Sequence, residues 1–524
     1  MNLTTDKWIP VVRMNGRADT VSLEQVFGEG VDIRDLAVRP HERIALMRLL
    51  LAVSQSGLDG PRDDKDWRHC RDKVADAAKQ HLKDNHSAFE LFGSDARFAQ
   101  ARQLDPAAQT DDRAKEAVTK LDFALATGHN QTVFDNSAAS TMPRYLSPAQ
   151  AVLCLLAFQC FAPPGGSGYT GKSPCGERKM LHAFLRGGDL LETVWRNLLT
   201  KEDVAELPGC SGWGRASWLL PENWQRDSKH LSSYLGRLCP MTKGVWLQEQ
   251  SHDDGSTDVA AMEIQRKGMT YSSFEKGGFR EPAGTLCTDG KKRWLLAADS
   301  KRAIWRDLPA MLPRRALDRD ARLAPVALQR YDGTKPVDLW VGALIVVKTA
   351  KIENSVESIF HIPATSCTDD FTAFFAGGVL FAECWATAIE AGLSSYRLAL
   401  GDNIDRRQAH KRATLMRQHA ASHFWTAIET AVREVLFPLA ADPPDNLKCD
   451  PPYYLDYSRS ESGWGPLVRR AAEDAFALAC PQASARQASA YGAGRQTMLA
   501  KQPRPNLKAG AAIPEPSSND TKEL

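Results

Sequence analysis

Paired cysteines are missing from this sequence. The eleven cysteines are scattered singly, none forms a C-x-x-C pair, and the nearest two, Cys154 and Cys160, stand six apart. That spacing argues against a disulfide framework and against a cysteine-built zinc site, so no metal is expected. Long apolar runs are missing too. The longest, Leu339 to Val347, stops at Lys348, far short of the roughly 20 residues that cross a bilayer. Met1 to Val12 carries Asp6, Lys7 and Pro10 where a secretory leader would be apolar. A soluble, cytoplasmic chain with no membrane partner is expected. There is little surplus of charge: 66 basic against 64 acidic side chains leave +2. A chain that grips nucleic acid over its whole surface would be more basic, so local patches or shared binding are expected instead. H-E-x-x-H and G-x-S-x-G are absent, and the twelve histidines form no convincing ligand cluster. His419 and His423, four apart on a basic helix, lack a nearby third ligand. Neither an enzymatic role nor a cofactor is expected. No repeat of solenoid period is present.

What is present suggests two or three domains over 524 residues, with an ordinary globular balance of 43% hydrophobic and 25% charged residues. Leu3 to Val12 reads as a short strand, with Pro10 suggesting an edge. From Pro40, the spacing of Ile44, Leu46, Met47, Leu50 and Leu51 predicts a helix. Asp59 to Asp84 reads as a solvated helix or linker. Ser147, Pro148 and Gln150 supply an N-cap, a first-turn proline and a capping-box partner. The apolar run Ala151 to Phe161 then predicts a buried helix, stopped at Pro163-Pro164.

Between about Leu231 and Phe360 short β-like runs dominate. Phe371–Leu400, Ile404–Leu439, Pro466–Cys480 and Ser484–Lys501 then read as helices, interrupted by a proline-rich stretch at 442–452. The expected class is therefore α+β. A mixed N-terminal domain over 1–365 precedes a C-terminal four-helix bundle over 366–501. The tail 502–524, with four prolines and many small polar residues, is expected to be disordered.

Gly166 to Ser173 matches the P-loop pattern G-x-x-x-x-G-K-[ST] in full. A working P-loop needs a strand before it and a helix opening at the lysine. Here a capped helix and two prolines precede it, and Pro174 and Gly176 follow. A P-loop NTPase is kept as an alternative on this match alone. The same glycines, Gly165, Gly166 and Gly168, let a backbone approach a partner without side chains in the way. A minor groove is one such partner and a plain turn the bland alternative. The helix from Ile404 carries Arg406, Arg407, Lys411, Arg412 and Arg417, and Arg406, His410 and Arg417 fall on one face, a stripe suited either to phosphates or to solvent.

Several segments in order resemble one family. They are Asn2-Leu3 through Trp8 to Val11, then Asn130 to Asn136, then the helix Ser147 to Phe161 leading into Pro164 to Gly168, and Arg302 to Leu308. With the C-terminal helices, they resemble CasA, the large subunit of the type I-E CRISPR Cascade complex. The resemblance implies a subunit that tests double-stranded DNA for a PAM with a glycine loop and a lysine finger, and splits the duplex with a wedge. It implies as partners crRNA, target double-stranded DNA, the backbone, small and 5′-handle-binding subunits, and a recruited nuclease-helicase. Carried over, the glycine loop falls on Gly165, Gly166, Ser167 and Gly168. The lysine finger falls near Lys267, with Arg266 or Lys276 as alternatives. The wedge falls on Lys348 and Thr349, where well-known members have glutamine. Guide and subunit docking falls on Phe134 and Asn136. DNA contacts on the bundle fall on Arg406, Arg407 and Lys411. Some members carry a central cysteine cluster; here Cys239 stands alone in that region. An assembly scaffold that reads no DNA is the remaining alternative.

Overall fold

The structure is a computed structural model. It describes residues 1–94, 97–106, 113–123, 145–162, 170–175, 179–220, 231–271, 278–288, 292–312, 322–331, 334–347, 351–364, 368–401, 406–449 and 454–503. Two compact units emerge from its contacts. One holds Met1–Ile304, Asp318–Asp332 and Pro336–Ile362; the other holds Trp305–Leu317, Gly333–Lys335 and Pro363–Leu524.

In chain order, the first unit's strands are β1 (Ile9–Arg13), β2 (Ala18–Val21), β3 (Ile33–Leu36), β4 (Arg113–Ala117), β5 (Thr170–Lys172), β6 (His182–Arg186), β7 (Val245–Ser251), β8 (Thr257–Gln265), β9 (Lys267–Thr270), β10 (Leu286–Thr288), β11 (Arg293–Leu295), β12 (Arg322–Leu323), β13 (Val337–Val347) and β14 (Lys351–Ile362). They build small sheets in the orders β2-β1-β3, β4-β8-β7, β5-β9, β11-β10-β12 and β14-β13-β6. All these pairings are antiparallel except β5-β9.

Pro10 does not mark an edge, because β1 is the central strand of its sheet. The Pro10 carbonyl accepts from Ala37 N at 2.9 Å, just past the end of β3. Amide and carbonyl of one strand residue point to the same side, so the missing donor falls where the ladder has already ended.

Helix α1 (Pro40–Leu58) runs through the core, with every residue from His41 to Gln55 buried. Helix α2 (Val74–Asp84) packs against it through Val74, Ala78 and Leu82. Within the charged stretch 59–84, Val74–Asp84 is therefore solvated on one face only, while Asp64–His69 buries no residue. Helix α3 (Pro148–Phe161) starts as its sequence dictates. Ser147 accepts from Gln150 N, and Gln150 reaches back to the Ser147 backbone. Ala151 to Phe161 are all buried, and each large apolar side chain there contributes about 1.5–3 kcal/mol. Arg48 and Arg237 clasp Glu281 at 2.7–2.9 Å. Burial would raise that carboxyl, but Arg48 and then Arg237 outweigh it and hold Glu281 below its usual range.

The second unit is helical. Its long helices are α4 (Asp369–Ala399), α5 (Arg406–Ala431), α6 (Trp464–Ala479) and α7 (Ala485–Ala500). Helix α4 packs against α6 and α7, and α5 against α6. A Cβ on Gly392 would stand 2.9 Å from Gly494 O, so α4 and α7 approach closely there. After α5 the chain makes a widened turn over Val432–Leu436, then stays helical to Ala441. That turn precedes Pro438, whose ring has no amide hydrogen for the regular ladder. Among the described residues, Asp370–Ala399 is long and apolar enough to cross a membrane by length and composition. Its Phe375, Trp385, Ile389 and Leu393 are nonetheless buried in the helical core.

The block at Arg302 to Leu308 has a structural use. Trp305 is buried edge-on to Trp464 and Trp425. Arg306 binds Glu383 twice, at 2.8 and 2.6 Å, and lies 3.7 Å over the Trp425 ring.

Candidate nucleic-acid interface

Strands β5 and β9 come from distant parts of the sequence and pair in parallel. Thr170 stands opposite Lys267, and Lys172 opposite Thr270. Thr170 N donates to Arg266 O at 2.8 Å, and Tyr271 N to Lys172 O at 3.0 Å. Glycines make the approach possible. Gly171 has φ +115°, and a Cβ there would stand 2.9 Å from Gly268 Cα. A Cβ on Gly268 would stand 2.7 Å from Thr242 O and 2.9 Å from Thr170 O. Lys267 and Arg266 are both exposed.

Gly165, Gly166, Ser167 and Gly168 lie outside the described residues, as does Lys276. The described chain resumes at Thr170, so the glycine stretch leads into the ladder at the position paired with Lys267. The P-loop alternative is corrected by the same geometry. Lys172 ends a strand, Ser173 is buried, and Lys172–Cys175 open no helix. Helix precedes and strand follows, the reverse of the order that aims amides and lysine at phosphates.

The segment that orders β9 was not legible beforehand. Gln159 sits in the otherwise apolar α3 and is 1% exposed. Its Nε2 donates to Lys243 O at 2.7 Å, and its Oε1 accepts from Lys243 N at 3.0 Å. Its backbone carbonyl accepts from Thr242 Oγ1 at 2.6 Å. Thr242 O in turn accepts from Met269 N in β9 at 2.7 Å. Burial, with the like charge of Lys120 adding to it, pushes the Lys243 ammonium down to about 8.

Phe134 and Asn136 lie outside the described residues, but both ends of their segment are anchored. Before it, Val118–Leu121 forms a buried turn, and Arg39 pairs with Asp122 at 2.5 Å. Phe123 packs on His41 and Phe158. Burial, and then the charge of Arg39, push the His41 imidazole down to about 4. After it, Leu146 bridges Val259 of β8, with backbone bonds of 3.1 and 2.8 Å.

Lys348 and Thr349 also lie outside the described residues. They fall between β13 and β14, which pair from Val337↔Ile362 to Val347↔Lys351. On the helical unit Lys411 is exposed beside exposed Arg412 and Arg417. Arg406 and Arg407 open α5, and their side chains are outside the description. The α5 inner face is Ala413, Ala420, Phe424 and Ile428, which leaves that basic run outward. Among the described residues no group of three His, Cys, Asp or Glu is placed to hold a metal.

The structure thus brings Thr170, which follows the glycine stretch in sequence, and Lys267 to one ladder. What sequence reasoning missed was Gln159, Thr242 and Lys243. One signal existed, a lone glutamine inside an apolar helix, which must find partners when buried.

Comparison with known proteins gives one consistent answer. The chain matches the model of the family described as CRISPR-associated protein Cse1 over residues 2–475. It is 30% identical over 336 residues to the CRISPR-associated protein CasA/Cse1 of Thermus thermophilus, an alignment that spans 60% of each chain. Its fold is similar to the crystal structure of Thermus thermophilus CasA, with TM-score 0.73 and 20% identity over 96% of this chain and 99% of the other. A chain of a solved CRISPR RNA-guided surveillance complex is also similar, with TM-score 0.71 and 17% identity over 95% and 99%. On the breadth of the family match, this chain belongs to the CRISPR-associated Cse1 family, also called CasA.

Proposed function

We propose that this chain is the PAM-reading subunit of a type I-E CRISPR RNA-guided surveillance complex. The observation that carries the reading is the parallel pairing of β5 with β9, which sets Thr170, the first described residue after the glycine stretch, opposite exposed Lys267. A side-chain-free backbone and a cation on one rim suit a minor groove, whose shallow pattern separates mainly A·T from G·C. Base pairing with the guide RNA reads the rest of the target. A net charge of +2 suits a subunit that shares its grip with other subunits and crRNA.

In this reading Lys348 and Thr349, which fall between β13 and β14 in sequence, part the first base steps, at a cost of about a few kcal/mol per step. Phe134 and Asn136 dock on the crRNA 5′ end and a neighbouring subunit. Arg406, Arg407 and Lys411 line phosphates of the opened duplex. The nuclease-helicase is recruited to the assembled complex in the cytoplasm, and this subunit performs no chemistry itself.

The test uses the complete complex. Lys267→Ala and Gly166→Leu should each weaken binding of a PAM-bearing duplex by about tenfold or more, the scale of one lost groove contact. Binding of a matching single strand, which needs no PAM, should be retained. Unchanged duplex binding by both variants would reassign the subunit as an assembly scaffold.

A further inference from the structure

We infer that Gln159 is a positioning residue for the PAM-reading ladder, an inference that rests on the function proposed above. The last carbonyls of a helix have no partner within it. In α3 two of them are used to hold the ladder from both sides. Gln159 O accepts from Thr242 Oγ1 at 2.6 Å, and Cys160 O accepts from Cys175 N at 3.1 Å. Cys175 follows β5, while Thr242 lies against β9. The glycine stretch departs from the same helix end.

The Gln159 side chain completes the hold. Its amide binds the N–H and the C=O of Lys243, as one rung of a β ladder would. Thr242 O then receives Met269 N at 2.7 Å, and Gly268 passes so close to Thr242 that no Cβ fits between them. Met241 N donates to Tyr271 Oη at 3.1 Å, tying the far end of the same two segments. Position therefore passes from Gln159 to residues 241–243, from these to β9, and from Lys267 to the paired Thr170. Gln159 touches no nucleic acid in this scheme. It sets where Lys267 stands against Thr170.

A hydrophobic residue would fit the apolar α3 equally well by size and pattern. A buried glutamine is kept in place only by its hydrogen bonds, and here the two shortest go to the peptide groups on either side of Lys243, beside the ladder, with a longer one of 3.5 Å to Ala99 O. Groove readout depends on placement, so loosening Lys267 should lower discrimination more than affinity.

The experiment measures, in the assembled complex, the ratio of affinities for two duplexes. Both carry the same target; one has the best-bound flank selected from randomised sequences, the other a scrambled flank. Gln159→Met removes the amide at nearly constant volume, and Thr242→Val removes the hydroxyl contact. Each should lower the ratio by about tenfold, the scale of one misread position, with complex assembly unchanged. In a Lys267→Ala background neither should lower it further. An unchanged ratio, or an equal further fall in that background, overturns the positioning role. A normal ratio for Lys267→Ala alone removes Lys267 from the reading of the PAM, and overturns this inference with it, while leaving the subunit's proposed function to the test given above. If Gln159→Met fails to assemble, Thr242→Val decides by the same criteria.

Discussion

At the scale of single residues, Lys243 separates structure from readout. Its backbone is held by Gln159, while its buried ammonium is shifted from 10.5 to about 8 by burial and by Lys120. Between those two values the unfolded chain holds a proton that the folded chain has released. Stability should therefore rise with pH across that window and be insensitive to this group below about 8, where both states are protonated. Lys243→Met leaves the clamp's backbone atoms in place and removes the titration. Measured by denaturant unfolding at pH 7 and pH 10, the parent should gain about 2–3 kcal/mol on the variant. No relative gain would mean that the ammonium is not desolvated. The sequence made Lys267 legible only through family resemblance, since one lysine near a strand end carries no pattern. Thr242 and Lys243 were silent for a similar reason, and Gln159 showed only as a polar residue in an apolar helix. Their partners are distant in sequence, and such contacts leave no periodicity to read.

At the scale of elements, local chemistry was readable wherever it was self-contained. The capping box at Ser147 and Gln150, with Pro148 in the first turn, gave the start of α3 to the residue. The glycine-lysine pattern at 166–173 carried little by itself, because a P-loop is defined by the elements on either side, and these are helix before and strand after. Pro10 misled because an edge is a property of neighbours, and β3 arrives from later in the chain. The β5–β9 pairing was invisible for the same reason. It depends on Gly171 and Gly268 facing each other, which neither segment shows alone. Gly268→Ala tests that dependence, since its Cβ would meet two backbone oxygens at under 3.0 Å. It should destabilise the first unit by about 1–3 kcal/mol, as overpacking commonly does. The fall should appear as a lower thermal midpoint together with weaker PAM-duplex binding. Normal stability and binding would mean that the two strands need not approach this closely.

At the scale of the whole molecule, the expected α+β class holds, with a mixed unit followed by helices. The helical unit also takes in Trp305–Leu317, which a boundary at 365/366 would leave outside. Hydrophobic pattern alone did not reveal that, because Trp305 and Arg306 reach α4, α5 and α6 by tertiary contact. Trp305→Ala should destabilise the helical unit by about 3–5 kcal/mol, read as lost hydrogen-exchange protection in α6. Retained protection would show the tryptophan to be dispensable there. The net charge of +2 leads to a different whole-molecule expectation, about salt. Each phosphate neutralised by a lysine contributes about −0.9 to the slope of log affinity against log salt. If Lys267 and Lys411 each meet one phosphate, Lys267→Ala and Lys411→Ala should each flatten the slope of the complete complex by about one. The two variants should differ otherwise. Lys411, on the outward basic run of α5, should weaken all duplexes alike, because phosphate contacts carry no sequence. Lys267, paired with Thr170 in the β5–β9 ladder, should weaken PAM-bearing duplexes more than scrambled ones. Equal losses from both variants on both duplexes would reduce the ladder to one more phosphate contact and leave the reading of the PAM to other residues.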